Sequence, residues 1–201
     1  MKKNKFQLKR EATYANLIKA GIAVLCEKGY SSSSIDDVVS RAGYTKGAFY
    51  VHFESKEQFF LHLVDYRAES REMILESVKK LPTTGVTLEQ AVFAIASGMV
   101  NYLIQSPEWM LVHMDFFIQA KRSELIQSKY TELYERWIKE GAAFIELLKS
   151  RQLVASDLDS SAKAKMMYAF LDGCIIHHVF YKEMLNETVI AEAFVKILQE
   201  Q

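Results

Sequence analysis

Turn-forming residues are scarce, with two prolines and eight glycines spread over 201 residues. A chain reversing direction every ten residues or so needs many more, so a loop-rich all-β architecture is excluded. Cysteine is scarcer still. Cys26 and Cys174 are too distant for a paired metal knuckle and too few for a disulfide framework. Both fall in apolar helical patterns, where free buried thiols of a reducing compartment belong. No apolar run reaches the roughly 20 residues of a bilayer-spanning helix, so no membrane segment is expected. The basic start, Met1-Lys2-Lys3-Asn4-Lys5, leads into amphipathic sequence rather than the apolar core of a signal peptide. The expected location is the cytoplasm.

Catalytic and metal-binding patterns are also missing. There is no Gly-rich phosphate loop, no G-x-S-x-G elbow, no H-E-x-x-H and no C-x-x-C. His177 and His178 are adjacent, so on a helix they point about 100° apart and cannot share a metal. His113 and Asp115 likewise face different ways. No metal, no cofactor and no enzymatic activity are expected. Asp172, inside an apolar helix, needs a hydrogen-bonding partner in the core or across a dimer, because a lone buried charge is costly.

What the chain does have is helical periodicity. Half of its residues are apolar and a quarter charged, as in an ordinary globular protein, and the apolar ones recur mostly at helical spacing. The fold class is all-α, about nine helices in all. Charge divides unevenly along the chain. Residues 1–56 hold 10 Lys and Arg against 5 Asp and Glu, leaving the remainder net acidic in a chain whose total charge is zero. A basic head on an acidic body suits a nucleic-acid-binding domain joined to another module.

The first ten residues read as a loose basic arm. Tyr14, Leu17, Ile18, Gly21, Ile22 and Leu25 then share one helix face, and Gly29 stops that helix. Ser34 and Asp37 have capping-box spacing and open a short helix, Ile35–Ala42. Gly43 ends it, and Thr45 caps a third helix over 46–53. Ser55 with Gln58 opens a connector helix running to about Lys80, before the break Leu81-Pro82-Thr83-Thr84-Gly85. The rest reads as helices over 88–105, from Ser106-Pro107 to about 121, Glu124–Ser150, 160–181 and Glu187–Gln199.

Two short helices joined by Gly43-Tyr44-Thr45 form a helix-turn-helix, whose second helix enters the DNA major groove. Thr45 offers a hydroxyl at the helix start, and Lys46 reaches a base edge or phosphate. Gly47 and Ala48 are nearly bare, letting backbone approach bases. Tyr50 and His52 donate to phosphates, and Lys56 adds charge at the next helix start. Ser34, opening the first of the two helices, completes the candidate set. Base preference rests on Tyr44, Lys46, Gly47 and Ala48, a thin set, so DNA shape is expected to contribute.

The run from Ser34 to Glu57 closely resembles the DNA-binding signature of the tetracycline-repressor-like (TetR/AcrR) family. The specific elements are Ala42-Gly43, Lys46-Gly47, Tyr50 with His52-Phe53, and Ser55-Lys56-Glu57. The close match covers roughly residues 10–60. Tyr44 stands where the family often has a small aliphatic residue, and Val39 where Ala is usual. The resemblance implies an N-terminal three-helix DNA-binding domain, here residues 1–55, and a helical bundle for regulation and dimerisation, here 56–201, with dimers on double-stranded operator DNA and repression relieved by a small effector. It also implies that the last two helices form a four-helix homodimer interface, here through Phe170, Cys174, His178, Phe194, Ile197 and Leu198. An effector pocket is expected among the bulky residues Met99, Tyr102, Leu103, Trp109, Met110, His113, Phe117, Tyr134, Trp137, Phe170 and His177, since apolar linings with a few polar tips bind small molecules. The alternative reading is a DNA-binding protein whose body docks a protein partner and has no small-molecule effector.

Overall fold

The computed structural model describes residues 4–69, 82, 85–104 and 108–200. The expected connector stretch 70–80, the Ser106-Pro107 start and the side chain of Trp109 lie outside the described residues. The α-helices in order are α1 Lys5–Ser32, α2 Ile35–Ala42, α3 Lys46–Tyr50, α4 Lys56–Glu69, α5 Leu88–Ile104, α6 Glu108–Ala120, α7 Glu124–Ser150, α8 Ser160–His177 and α9 Glu187–Gln199, with a 3-10 turn at Lys182–Met184. No strand occurs among the described residues. The chain divides into two compact units, Met1–Glu69 with Leu111–Lys129 and Ser70–Met110 with Tyr130–Gln201.

In the first unit, the expected loose arm is instead helix from Lys5 onward. Asn4 caps α1: its side chain accepts from the Gln7 amide at 2.8 Å, and Gln7 returns a bond to the Asn4 amide at 3.0 Å. This reciprocal capping box satisfies two amides that the helix start leaves bare. At the other end Gly29 takes φ +70°, a left-handed conformation that breaks the helical backbone. The freed amide of Tyr30 donates to Asp115 Oδ2 of α6 at 2.5 Å, and Gln119 Nε2 donates to Ser31 Oγ at 2.8 Å. Thus the end of α1 is capped from a helix far along the chain.

The core of this unit is aromatic. Phe49, Phe53, Phe59 and Phe60 are all essentially solvent-free, and their rings meet edge-on or tilted at 4.7–5.3 Å between centroids. Such pairs contribute about 0.5–1.5 kcal/mol each beyond burial. α1 closes over them at Gly21, where an added Cβ would lie 2.3 Å from the Phe59 ring. A side chain at position 21 would force the buried Phe59 ring or α1 itself to shift.

The second unit packs α9 against α5 and α8, burying Val92, Ile95, Ile190 and Phe194. α7 and α8 approach closely where small residues face each other, an added Cβ at Gly141 lying 3.2 Å from that of Ala164. Asp172 has the partner its chemistry demands: the Tyr134 hydroxyl donates to its Oδ2 at 2.6 Å.

Candidate nucleic-acid interface

The helix-turn-helix is held by its caps. The Ser34 hydroxyl accepts from the Asp37 amide at 3.2 Å and donates to Asp37 Oδ2 at 2.7 Å. Lys28 Nζ sits 2.6 Å from the other Asp37 oxygen, and these bonds hold that carboxyl at about 2. Ser34, half-exposed, thus caps α2. At the far end of α2, Gly43 adopts φ +72°, and its amide and that of Tyr44 close back onto Ser40 and Val39. This left-handed cap turns the chain sharply into α3, where Thr45 Oγ1 accepts from the Ala48 amide.

α3 is shorter than its periodicity suggests, ending at Tyr50 rather than Phe53. The amide of His52 bonds to Phe49 O, a tighter turn that ends the regular helix. Phe49 is buried and anchors the helix from below. Thr45, Lys46, Gly47 and Tyr50 are exposed and Ala48 half-exposed. Gly47 is informative. Its φ is not positive, and an added Cβ would meet only Thr45 Oγ1, at 3.7 Å. Nothing inside the chain requires glycine there, although glycine costs a helix about 1 kcal/mol relative to alanine.

The flanking residues are more engaged. The Tyr44 hydroxyl accepts from Asn16 Nδ2 of α1 at 3.1 Å, and bonds from Asn16 and Thr13 lower its pKa. Tyr44 thus ties the turn to α1. His52 packs near Tyr14 and Phe53, and burial together with the Arg10 charge lowers its pKa. Lys56 holds its ammonium 4.5 Å above the Tyr30 ring, and its burial lowers its pKa as well. Lys46 Nζ pairs with Asp36 Oδ2 at 2.9 Å. Neither Asp36 nor the α1 residues Thr13 and Asn16 were marked by the sequence reading. For the α1 pair, the available signal was helical spacing that puts them on one face.

In the second unit a cavity of about 30 Å³, room for a single water-sized group, is lined by Met99, Met167, Tyr168, Phe144 and Leu171 with one carboxylate, Glu140. Of the expected pocket residues whose side chains are described, only Met99 lines it. Tyr134 and Trp137 stack beside it toward Tyr168, while Tyr102, Leu103 and Phe170 are half-buried, Met110 buried and His177 exposed. His113 and Phe117 belong to the first unit, their rings 5.0 Å apart. Among the expected dimer residues, Cys174, Phe194 and Leu198 are buried in the unit's own core; Phe170, His178 and Ile197 are half-exposed. Among the described residues no three metal-ligating side chains converge, and no helix is long and apolar enough to cross a membrane.

Residues 17–63 match the family described as bacterial regulatory proteins, tetR family, and residues 88–200 match the C-terminal domain of the BetI-type transcriptional repressor. The chain is 36% identical over 178 residues to the HTH-type transcriptional regulator YwcC of Bacillus subtilis, covering 87% of this chain and 80% of that one. It is 43% identical over 187 residues to the transposon Tn10 TetC protein of Escherichia coli, covering 92% and 87%. Its fold superposes on the Bacillus subtilis regulator FadR, solved in complex with stearoyl-CoA, with a TM-score of 0.71 at 16% identity over 92% of this chain and 97% of that chain. A capped helix-turn-helix on an aromatic core, followed by a helical body and matched along both parts, makes this chain a member of the TetR family of DNA-binding transcription regulators.

Proposed function

We propose that the protein is a non-enzymatic, ligand-responsive repressor that works in the cytoplasm as a homodimer on operator DNA. The observation that carries the DNA contact is Gly47, a bare helical position that internal packing does not demand and that close approach of a duplex would. Around it, Thr45, Lys46, Ala48 and Tyr50 form the contact ridge, Tyr44 and His52 flank it, and Lys56 adds positive charge at the start of α4. In this reading residues 1–55 read DNA and 56–201 sense and pair, a division of roles that cuts across the first compact unit, whose core also takes Phe59 and Phe60 from α4.

Pairing is supported by α8. Ala162, Met166, Ala169, Gly173 and Ile176 recur at steps of three and four residues and face outward, continued by Phe180. An apolar stripe with small residues at its centre suits helix-to-helix packing with a second copy. The effector reading rests on an apolar cavity with one carboxylate and on methionine, whose flexible side chain adapts to irregular ligands. The lining has the chemistry of a site for a hydrophobic or amphipathic molecule, but at about 30 Å³ the cavity has to open to admit one. FadR, similar in fold, was solved with an acyl-CoA. To release DNA, the effector must bind the DNA-incompetent state more tightly.

Retardation of the protein's own upstream promoter fragment tests the first part, and loss of salt-sensitive retardation would refute it. Sedimentation tests the second: Ile176→Asp is expected to yield monomer, and an unchanged mass would refute the α8 face. A thermal-shift screen against acyl-CoAs and hydrophobic cations tests the third. If no compound both stabilises the protein and frees DNA, the body is better read as docking a protein partner.

A further inference from the structure

Lys46 does not present a free charge. Its ammonium lies 2.9 Å from Asp36 Oδ2 in the first turn of α2, with the two side chains 56% and 69% exposed, and the pairing raises the lysine pKa. Stability does not explain this contact, because ion pairs this exposed contribute little to folding. Capping does not explain it either, since Asp37 already completes the box with Ser34. What Asp36 adds is a carboxylate on a surface that meets phosphates, where its own interaction with DNA is repulsive.

We infer that Asp36 is a specificity-determining residue: it fixes Lys46 as an oriented donor and withholds that charge from generic duplex. This rests on the DNA-contact reading above. The Lys46 ammonium has three donors and can reach a phosphate without leaving Asp36, but the carboxylate then lies beside the backbone and offsets the charge gained. A base edge with acceptors in line with the ammonium, as guanine offers through O6 and N7 in the major groove, is reached with the pair intact. Asp36 therefore taxes sequences that offer only backbone, and the discrimination comes from the repulsive element as much as from the attractive one.

The test uses the full chain, a duplex selected by the parent protein from a random library, and a scrambled duplex of equal length. On the scrambled duplex, Asp36→Asn is expected to steepen the slope of log K against log salt by about 1.8, the value for one added phosphate contact from each head of the dimer. That slope corresponds to binding about 60-fold tighter at 0.1 M salt. On the selected duplex the gain is smaller, so the specificity ratio narrows, and Asp36→Glu restores most of it. In a Lys46→Met background the slope change disappears. Equal tightening on both duplexes, or the same slope change without the lysine, would mean that Asp36 acts only as a diffuse negative charge and overturns the proposal. So would no change at all. If the parent shows no salt-sensitive binding to any duplex, the DNA-contact reading fails first, an outcome visible before any variant is made. Both positions are exposed, so neither substitution disturbs the core.

Discussion

Replacing Gly47 by alanine separates what the fold needs from what the DNA needs. Within the chain, the new methyl group meets Thr45 Oγ1 at 3.7 Å and nothing else, an ordinary contact. Glycine carries an entropic penalty in a helix, so the substitution is expected to stabilise the folded state by about 0.5–1 kcal/mol. For a chain of this size that is a rise in Tm of about 1–4 °C. At a close-packed interface the same methyl group intrudes, and overpacking costs about 1–3 kcal/mol. A homodimer carries the methyl group at both heads, about 2–6 kcal/mol in all, so operator affinity is then expected to fall by at least about 27-fold. A thermal melt and a binding titration on one preparation read both effects. The variant is expected to be the more stable protein and the poorer binder. If affinity is unchanged, position 47 does not approach the duplex and the ridge is not the contact surface. If Tm falls, the space around Gly47 has been misjudged.

The opposite result is expected at Gly21, where the Cβ would lie 2.3 Å from the buried Phe59 ring. Gly21→Ala should lower stability by about 1–2 kcal/mol despite better helix propensity, seen as a reduced urea midpoint. An unchanged midpoint would mean α1 and α4 part easily. Asp115→Ala strips the acceptor from the Tyr30 amide, a bond to a charged group whose loss costs about 2 kcal/mol. Tm should drop by about 4–8 °C with faster hydrogen exchange at Tyr30, while Asp115→Asn loses less; equal loss in both would implicate charge alone. Asp37 gives a pH signature. Its carboxyl, held at about 2 by Lys28 and Ser34, stabilises the fold fully above the ordinary aspartate value. That contribution fades as pH falls through about 4 toward 2. Acid unfolding of Asp37→Asn should start from lower stability at pH 7 and show a weaker pH dependence in that window. Parallel curves would refute it.

Helix ends were legible where short-range chemistry sets them. Ser34 with Asp37, and the left-handed Gly43, place α2 at Ile35–Ala42 as its sequence implies. The same signature, Asn4 with Gln7, marks the true start of α1, but the run of lysines around it reads more readily as a solvated arm. The exposure of Thr45, Lys46, Gly47 and Tyr50 on a short capped helix agrees with the helix-turn-helix pattern because these residues are contiguous in sequence. What periodicity cannot give is the identity of the neighbour across a packed face. A stripe says that Tyr134 and Trp137 are covered, not that they stack toward Tyr168. Nor does it reveal that Gly141 and Ala164 bring α7 and α8 together beside the cavity. The Asp36–Lys46 pair joins two helices across a turn, and no spacing rule within one helix marks it.

The amide of Tyr30 is completed by an oxygen 85 positions later. During synthesis, then, the N-terminal helices emerge before the group that finishes their first element, and the end of α1 stays open until α6 has left the ribosome. A fragment cut at residue 69 would carry every side chain of the contact ridge and still lack the lid on its first helix, so such a piece should fray from Gly29 outward. Domains are usually pictured as finishing in the order they are translated. This head has to wait for the middle of the chain.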